Sequence, residues 1–287
     1  MKTNGKSNGH GRLKGQAGDQ YHKTWANYFV KFLQAYEANG IEFWAITMQN
    51  EPIMGLINNA KWQQTAWTPQ AQRDFLKQDL YPAIDAYNSD RSSPVEIILL
   101  DDQRVQLPWW VEIVMEEGND QLENINTIGM HWYWDDYIPP RVLDMTRRKY
   151  PDKLLLGTEA CNKLNGQSAT EFLGSWEHGE NYSKSILQDI AHGASGWVDW
   201  NMALNEDGKP NWAGNSDDSP IIVNSTAGEF YKNPAFYHLG HFSKFVDENW
   251  VVLDGKIESI RDQPYGYVVF QSPLATSEIS RVVVVLN

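Results

Sequence analysis

The sequence is poor in cysteine, in basic residues and in long apolar runs, and each shortage excludes something. The single cysteine, Cys161, rules out an internal disulfide framework and says little about compartment. Lysine and arginine total 24 against 37 aspartates and glutamates, a formal charge of −13 with a pI near 4.9. Nucleic-acid binding needs basic stripes that track phosphates, so the reading is of no nucleic acid among the partners. The same charge suits work in acid, where protonated carboxylates relieve self-repulsion, and it equally suits an ordinary acidic enzyme. No run is apolar enough to span a bilayer. Met1 to Gly15 is polar and glycine-rich, unlike a secretory signal.

Aromatic side chains are plentiful, with 13 Trp, 13 Tyr and 10 Phe. Such rings stack on the flat apolar faces of sugars, and they also fill cores, so abundance alone leaves both uses open. The hydrophobic fraction of 41% over 287 residues supports a sizeable core, in one large domain or two smaller ones.

Hydrophobic periodicity alternates between helix and strand. Lys2 to Gly18 reads as a loop, and Tyr21 to Asn39 as a helix with Trp25, Phe29, Phe32 and Tyr36 at helical spacing and Gly40 as its stop. Phe43 to Met48 is a short apolar strand running into Gln49, Asn50, Glu51 and the breaker Pro52. Thr68-Pro69 opens a helix to about Tyr87 that Pro82 is expected to kink. Further strands are expected at Glu96–Leu100, Thr127–Met130, Lys153–Leu156 and Gly196–Val198, with helices near Trp110–Met115, Arg141–Lys149, Tyr182–Ala191 and Asn233–Phe245. Alternating β and α elements imply a parallel sheet, and in a β/α barrel the active site lies at the C-terminal strand ends. Five strands do not close a barrel of eight. From about Glu248 the texture changes to short strands at Val251–Leu253, Ile257–Ile260, Tyr267–Gln271 and Arg281–Leu286, which predicts an antiparallel module. The final run, RVVVVL, is a strand that needs neighbours, so both ends of the chain read as cut.

Each parallel strand ends in a polar or aromatic cluster. Two carboxylates stand out there, Glu51 and Glu159, about three β/α units apart. An ionised carboxylate against a core is costly unless it has a partner or a task. Strand-end glutamates serve as ion-pair partners, but a pair separated by aromatic strand ends suits glycoside hydrolysis, which needs an acid and a nucleophile or base about one sugar bond. Asp101 and Asp102 read as structural strand-end groups. Zinc on His131 and Glu159 is disfavoured because no paired histidine spacing is present. Cys161 has no visible general base and reads as a buried thiol. Asn181-Tyr182-Ser183 and Asn224-Ser225-Thr226 fit glycosylation triplets.

QNEP at Gln49–Pro52 and GTEAC at Gly157–Cys161 look like the acid/base and nucleophile strands of the clan A barrel glycosidases. The stretches LKGQAGDQYHKTW, YFVKFL, LLDDQR, HWYW, GWVDWN, DSPIIV and FYHLGHFSKF resemble glycoside hydrolase family thirty, in order and across essentially the whole chain. The resemblance implies an α/β fold: a partial (β/α)8 barrel, strands four to eight, over residues 1–247, then part of a small antiparallel β domain over 248–287. The three earlier barrel strands and the end of the β domain are not in it, so the chain alone is expected to leave its first strand edge open.

That resemblance also implies roles. Glu51 would be the general acid/base and Glu159 the nucleophile. Asn50 would bond the sugar 2-hydroxyl, His131, Trp132 and Tyr133 would line the pocket, Trp200 would hold the sugar, Asn215 would stand at the rim, and Arg104 would support the carboxylates. A retaining pair stands about 5–5.5 Å apart, close enough for a charged Glu159 to keep Glu51 protonated until the ester forms. The implied reaction is cleavage of glucosylceramide to glucose and ceramide, with no cofactor and no metal. The implied setting is the lysosome, with a glycosphingolipid substrate, a saposin-type activator and an anionic membrane surface. Another β-glycoside, or a non-catalytic glycolipid-binding role, stands beside this. Asn162 to Ser168 and Trp134 depart from the family pattern near the mouth of the site, which bears on lipid contacts more than on the sugar.

Overall fold

The computed structural model describes residues 1–57, 60–116, 120–162, 173–260, 263–273 and 279–287. It divides into two compact units, residues 1–138 with 145–156, and residues 139–144 with 157–287. Of the departing segment after Glu159, residues 163–168 lie outside the described residues.

In the first unit the helix Gln20–Glu37 begins at Asp19, whose carboxylate accepts from the Tyr21 and His22 amides, and the chain beyond it turns at Gly40 with φ +76°. Its buried face is His22, Ala26 and Leu33. The aromatics at helical spacing lie outside that face, as contacting rings. Trp25 and Phe29 are 5.3 Å apart, Phe32 and Tyr36 4.6 Å, and the last two are about two-fifths exposed, at 39% and 40%.

Thr68 caps the next helix, its Oγ1 accepting from the Ala71 amide at 3.2 Å. This element is α-helical over Pro69–Phe75 and Tyr81–Asn88, with a wider π turn over Leu76–Leu80 between them. The π turn falls immediately before Pro82, whose nitrogen cannot donate to the turn below, so the ladder loosens where a kink was expected. Phe75, Leu76 and Leu80 are fully buried, as are Leu99, Trp110, Val111, Val114 and Ile128. Each such side chain contributes roughly 1.5–3 kcal/mol of burial. Trp110 Nε1 donates to buried Gln72 Oε1 at 2.6 Å, which meets the ring's one polar need.

The strands β1 (Ala45–Thr47), β2 (Glu96–Gln103), β3 (Thr127–His131), β4 (Leu154–Glu159) and β5 (Ala194–Trp197) form one sheet in the order β1-β2-β3-β4-β5. β1 pairs with β2 and β2 with β3, both parallel, as the alternation predicts. β2 runs three residues past its expected end. Its register against β3 shifts between Leu100 and Asp102, and Leu100 and Asp101 take φ values of +68° and +59°. A bulge of this kind bends a strand and re-aims its side chains.

In the second unit, β6 (Ala203–Asn205), β7 (Ile221–Asn224) and β8 (Glu229–Lys232) form a small sheet that the sequence did not announce. The helix Trp176–Ala191 starts six residues before its expected position, capped by Ser175 Oγ accepting from the His178 amide at 3.3 Å. It buries Ile186 and Leu187 against Phe242 of the helix Pro234–Ser243. The same core takes Val268, Phe270, Val284 and Leu286 from β10 (Gln263–Gln271) and β11 (Arg281–Leu286). β9 (Val251–Ile260) is one strand where two were expected, and β10 lies between β9 and β11 with both pairings antiparallel. At Gly255 a Cβ would come 3.2 Å from Ala191 Cα, so a glycine lets the helix lie close to the strand.

Candidate active site

β1 and β2 are parallel in the register Thr47↔Ile98, so the polar residues that follow each strand arrive at the same end. Glu51 is buried, at 7% exposure, with a left-handed backbone at φ +46°. Its amide donates to the Asp101 carbonyl at 2.9 Å. Its Oε1 accepts from Gln103 Nε2 at 2.8 Å and lies 3.3 Å from His131 Nδ1. The other His131 nitrogen, Nε2, lies 3.0 Å from Asp101 Oδ1, and Asp101 Oδ2 accepts from Thr47 Oγ1 at 2.6 Å.

The fully buried imidazole therefore bridges two carboxyl groups. An imidazolium donates at both nitrogens, whereas a neutral ring donates at one and accepts at the other from a protonated carboxyl. Asp102, with no exposed surface, stands next in line. Burial pushes its carboxyl up to about 7 and the Glu51 charge adds to this, against bonds from the Gln103 and Ile53 amides at 2.7 and 3.1 Å. A carboxyl anchored through one oxygen and free to exchange a proton at the other is the equipment of a general acid/base.

Asn50 is half-buried immediately before Glu51. Trp132 and Tyr133 follow β3, half-buried, with ring centroids 6.4 Å apart, and Tyr133 stands edge-on to His131 at 6.2 Å. Arg104 is 1% exposed. Its Nε lies 3.0 Å from Asp135 Oδ1, and it donates to the carbonyls of Asp135 at 2.8 Å and Ile138 at 3.0 Å. Within the first unit this guanidinium fastens the loop that carries Trp132 and Tyr133.

In the second unit Glu159 ends β4 and is half-buried. The Trp200 amide donates to the Ala160 carbonyl at 2.9 Å, which sets Trp200, 46% exposed, beside the strand end that carries Glu159. Asn215 is half-buried in a loop folded around Asn211, whose Oδ1 accepts the Asn215 amide at 3.3 Å and whose Nδ2 donates to Asp217 at 2.7 Å. Asp199 accepts the Tyr182 hydroxyl at 2.9 Å, and burial pushes its carboxyl up to about 7. Burial, with Asp217 and Asp199 adding to it, raises the Cys161 thiol well above its ordinary value, as a buried inert thiol requires.

The sequence gives Gln103 no part and makes Asp101 and Asp102 structural. The structure sets Gln103 against Glu51 and Asp101 against His131, while Asp102 bonds the Ile53 and Gln103 amides. The available signal was the run Asp101-Asp102-Gln103-Arg104, four polar residues after an apolar strand with no glycine or proline to turn the chain away.

The family model of the glycosyl hydrolase family 30 TIM-barrel domain matches residues 1–246, and the chain belongs to that family. It is 47% identical over 249 residues to lysosomal acid glucosylceramidase of Mus musculus, covering 86% of this chain and 47% of the mouse protein. It is 39% identical over 258 residues to putative glucosylceramidase 3 of Caenorhabditis elegans, covering 90% of this chain and 48% of that protein. The chain thus spans about half the length of these curated relatives. SrfJ from Salmonella typhimurium shares the fold, with a TM-score of 0.78 at 24% identity over 100% of this chain and 64% of that one.

Proposed function

We propose that this chain carries the acid/base and nucleophile strands of a retaining β-glucosidase that cleaves glucosylceramide to glucose and ceramide. The observation that carries the reading is the buried Glu51 carboxyl, anchored at Oε1 by Gln103 and His131 at the end of a parallel strand, in a family 30 glycosidase. Identity of 47% to the mouse protein supports the choice of substrate. In the first step Glu51 gives its proton to the glycosidic oxygen while a Glu159 oxygen bonds to the anomeric carbon, and the alcohol leaves. In the second, Glu51 takes a proton from water, whose oxygen displaces Glu159 and releases glucose. Asn50 would bond the sugar 2-hydroxyl. His131, Trp132, Tyr133 and Trp200 would shape the sugar site, Asn215 its rim, and Arg104 would steady the loop beside it. No cofactor enters these steps.

The domain reading is that residues 1–247 are barrel and 248–287 part of a β domain, in line with the family match ending at residue 246. The proposed setting is the lysosomal lumen, with a saposin-type activator and an anionic membrane surface as partners. Among the described residues no helix is long and apolar enough to cross a membrane, but Trp212 and Met202 are 83% and 78% exposed and suit contact with lipid.

A cyclitol epoxide that esterifies glycosidase nucleophiles tests the reading directly. Peptide mass mapping is expected to find the label on Glu159, and the first-formed sugar is expected to keep the β configuration. Label on another residue, or an inverted sugar, overturns it. The second reading is a glycolipid-binding chain without turnover. Glycolipid binding with no label selects that one.

A further inference from the structure

We infer that Asp102 is a positioning residue for Glu51, holding it from two sides so that Oε2 is the oxygen that gives and takes the proton. The inference rests on the reading of Glu51 as acid/base and adds to it a residue and an atom. Asp102 Oδ2 accepts the amide of Ile53, two residues beyond Glu51, at 3.1 Å. Its Oδ1 accepts the amide of Gln103 at 2.7 Å, and the Gln103 side chain ends on Glu51 Oε1 at 2.8 Å. The path Glu51–Pro52–Ile53–Asp102–Gln103–Glu51 is therefore closed, with Asp102 as the member that joins its two arms.

The strain in this segment shows why such a brace is needed. Glu51 is not glycine, yet it sits at φ +46°, a conformation that costs of order 1–3 kcal/mol and persists only where surrounding bonds over-determine it. Asp102 supplies one of those bonds just past Glu51, and the Asp101 carbonyl supplies another at the Glu51 amide itself. Among the described residues, the two side chains that meet the Glu51 carboxyl, Gln103 and His131, both reach Oε1. An oxygen holding two such partners is poorly placed to exchange its own proton with substrate, which leaves that exchange to Oε2. Asp102 reaches no substrate in this arrangement. It has no exposed surface, and burial, more than the neighbouring Glu51 charge, raises its carboxyl.

The test compares Asp102→Asn and Gln103→Met with the parent chain on two β-glucosides, one with an alkyl alcohol as leaving group and one with dinitrophenolate, which departs without a proton. Misplacing an acid/base by about 1 Å costs on the order of 10²-fold. Both variants are expected to lose about 10²-fold in kcat on the alkyl glucoside, with KM little changed, and less than about 5-fold on the activated one. Equal losses on both substrates mean general damage and overturn the inference. Glu51→Gln separates the two levels of the reading. If it shows no leaving-group dependence, the acid/base reading fails; if it does and Asp102→Asn does not, the positioning role alone fails.

Amide hydrogen exchange reads the same brace without turnover. In Asp102→Ala the Ile53 and Gln103 amides are expected to exchange at least about 10-fold faster than in the parent, since each loses its buried acceptor. Unchanged exchange at both amides also overturns the inference.

Discussion

Glu51 and Asp101 are both left-handed, at φ +46° and +59°, and the Glu51 amide donates to the Asp101 carbonyl at 2.9 Å. Two unfavourable backbone conformations, one on β2 and one in the segment after β1, thus meet in one hydrogen bond, next to the carboxyl assigned the proton transfers. Strain of this sort is retained where packing and bonding over-determine it, and it concentrates at functional sites.

Removing the Asp101 carboxyl is expected to be costly. Asp101→Ala removes the carboxylate that meets buried His131 Nε2 and accepts from Thr47 Oγ1. Leaving a buried polar group unsatisfied costs about 1–3 kcal/mol. The urea midpoint of the variant is expected to fall accordingly, and a midpoint within error of the parent would refute the role given to this bridge.

Stability is expected to be greater in acid. Asp102 and Asp199 are both pushed from 3.8 up to about 7 when folded. Between about pH 4 and 7 the folded chain then holds protons that the unfolded chain has released, so raising the pH through this window favours unfolding. Each group contributes at most about 1.4 kcal/mol per pH unit. Denaturation at several pH values is expected to show stability falling from about pH 4 to 7, with Asp102→Asn and Asp199→Asn each flattening the slope.

Gly55 lies four residues past Glu51, in the short helix Met54–Ile57, and a Cβ there would stand 2.7 Å from the backbone of Ala66. Gly55→Ala is expected to destabilise by about 1–3 kcal/mol, the usual cost of overpacking. The displaced backbone carries Ile53, so its amide should also lose protection from exchange. A variant as stable and as protected as the parent would show that the segment yields freely.

The strands that carry the site were legible because each is a short apolar run stopped by polar residues, as in Phe43–Glu51. The helix starting at Asp19 was legible for a similarly local reason, since a cap, a repeat and Gly40 coincide. What escaped was set by longer-range contacts. β7 and β8 are only four residues each and draw their order from pairing with one another, as in Val223↔Phe230. The first turns of the helix Trp176–Ala191, WEHGEN, are largely polar, so their pattern gave no amphipathic signal. Gln103 shows the limit most clearly. Its amide bonds to Glu51, which follows another strand, and nothing within a few residues of it names that partner.

The placement of β1 at one margin of the five-stranded sheet bears on how the protein behaves in solution. Ala45, Ile46 and Thr47 present neither charge nor proline, the usual guards against adventitious pairing. Beside them Trp44 is 61% exposed. In this chain taken by itself such a margin invites a strand from another molecule, so light scattering from the 287-residue chain should rise with its concentration. A lysine in place of Ile46 should suppress that growth and leave a dilute, monodisperse species.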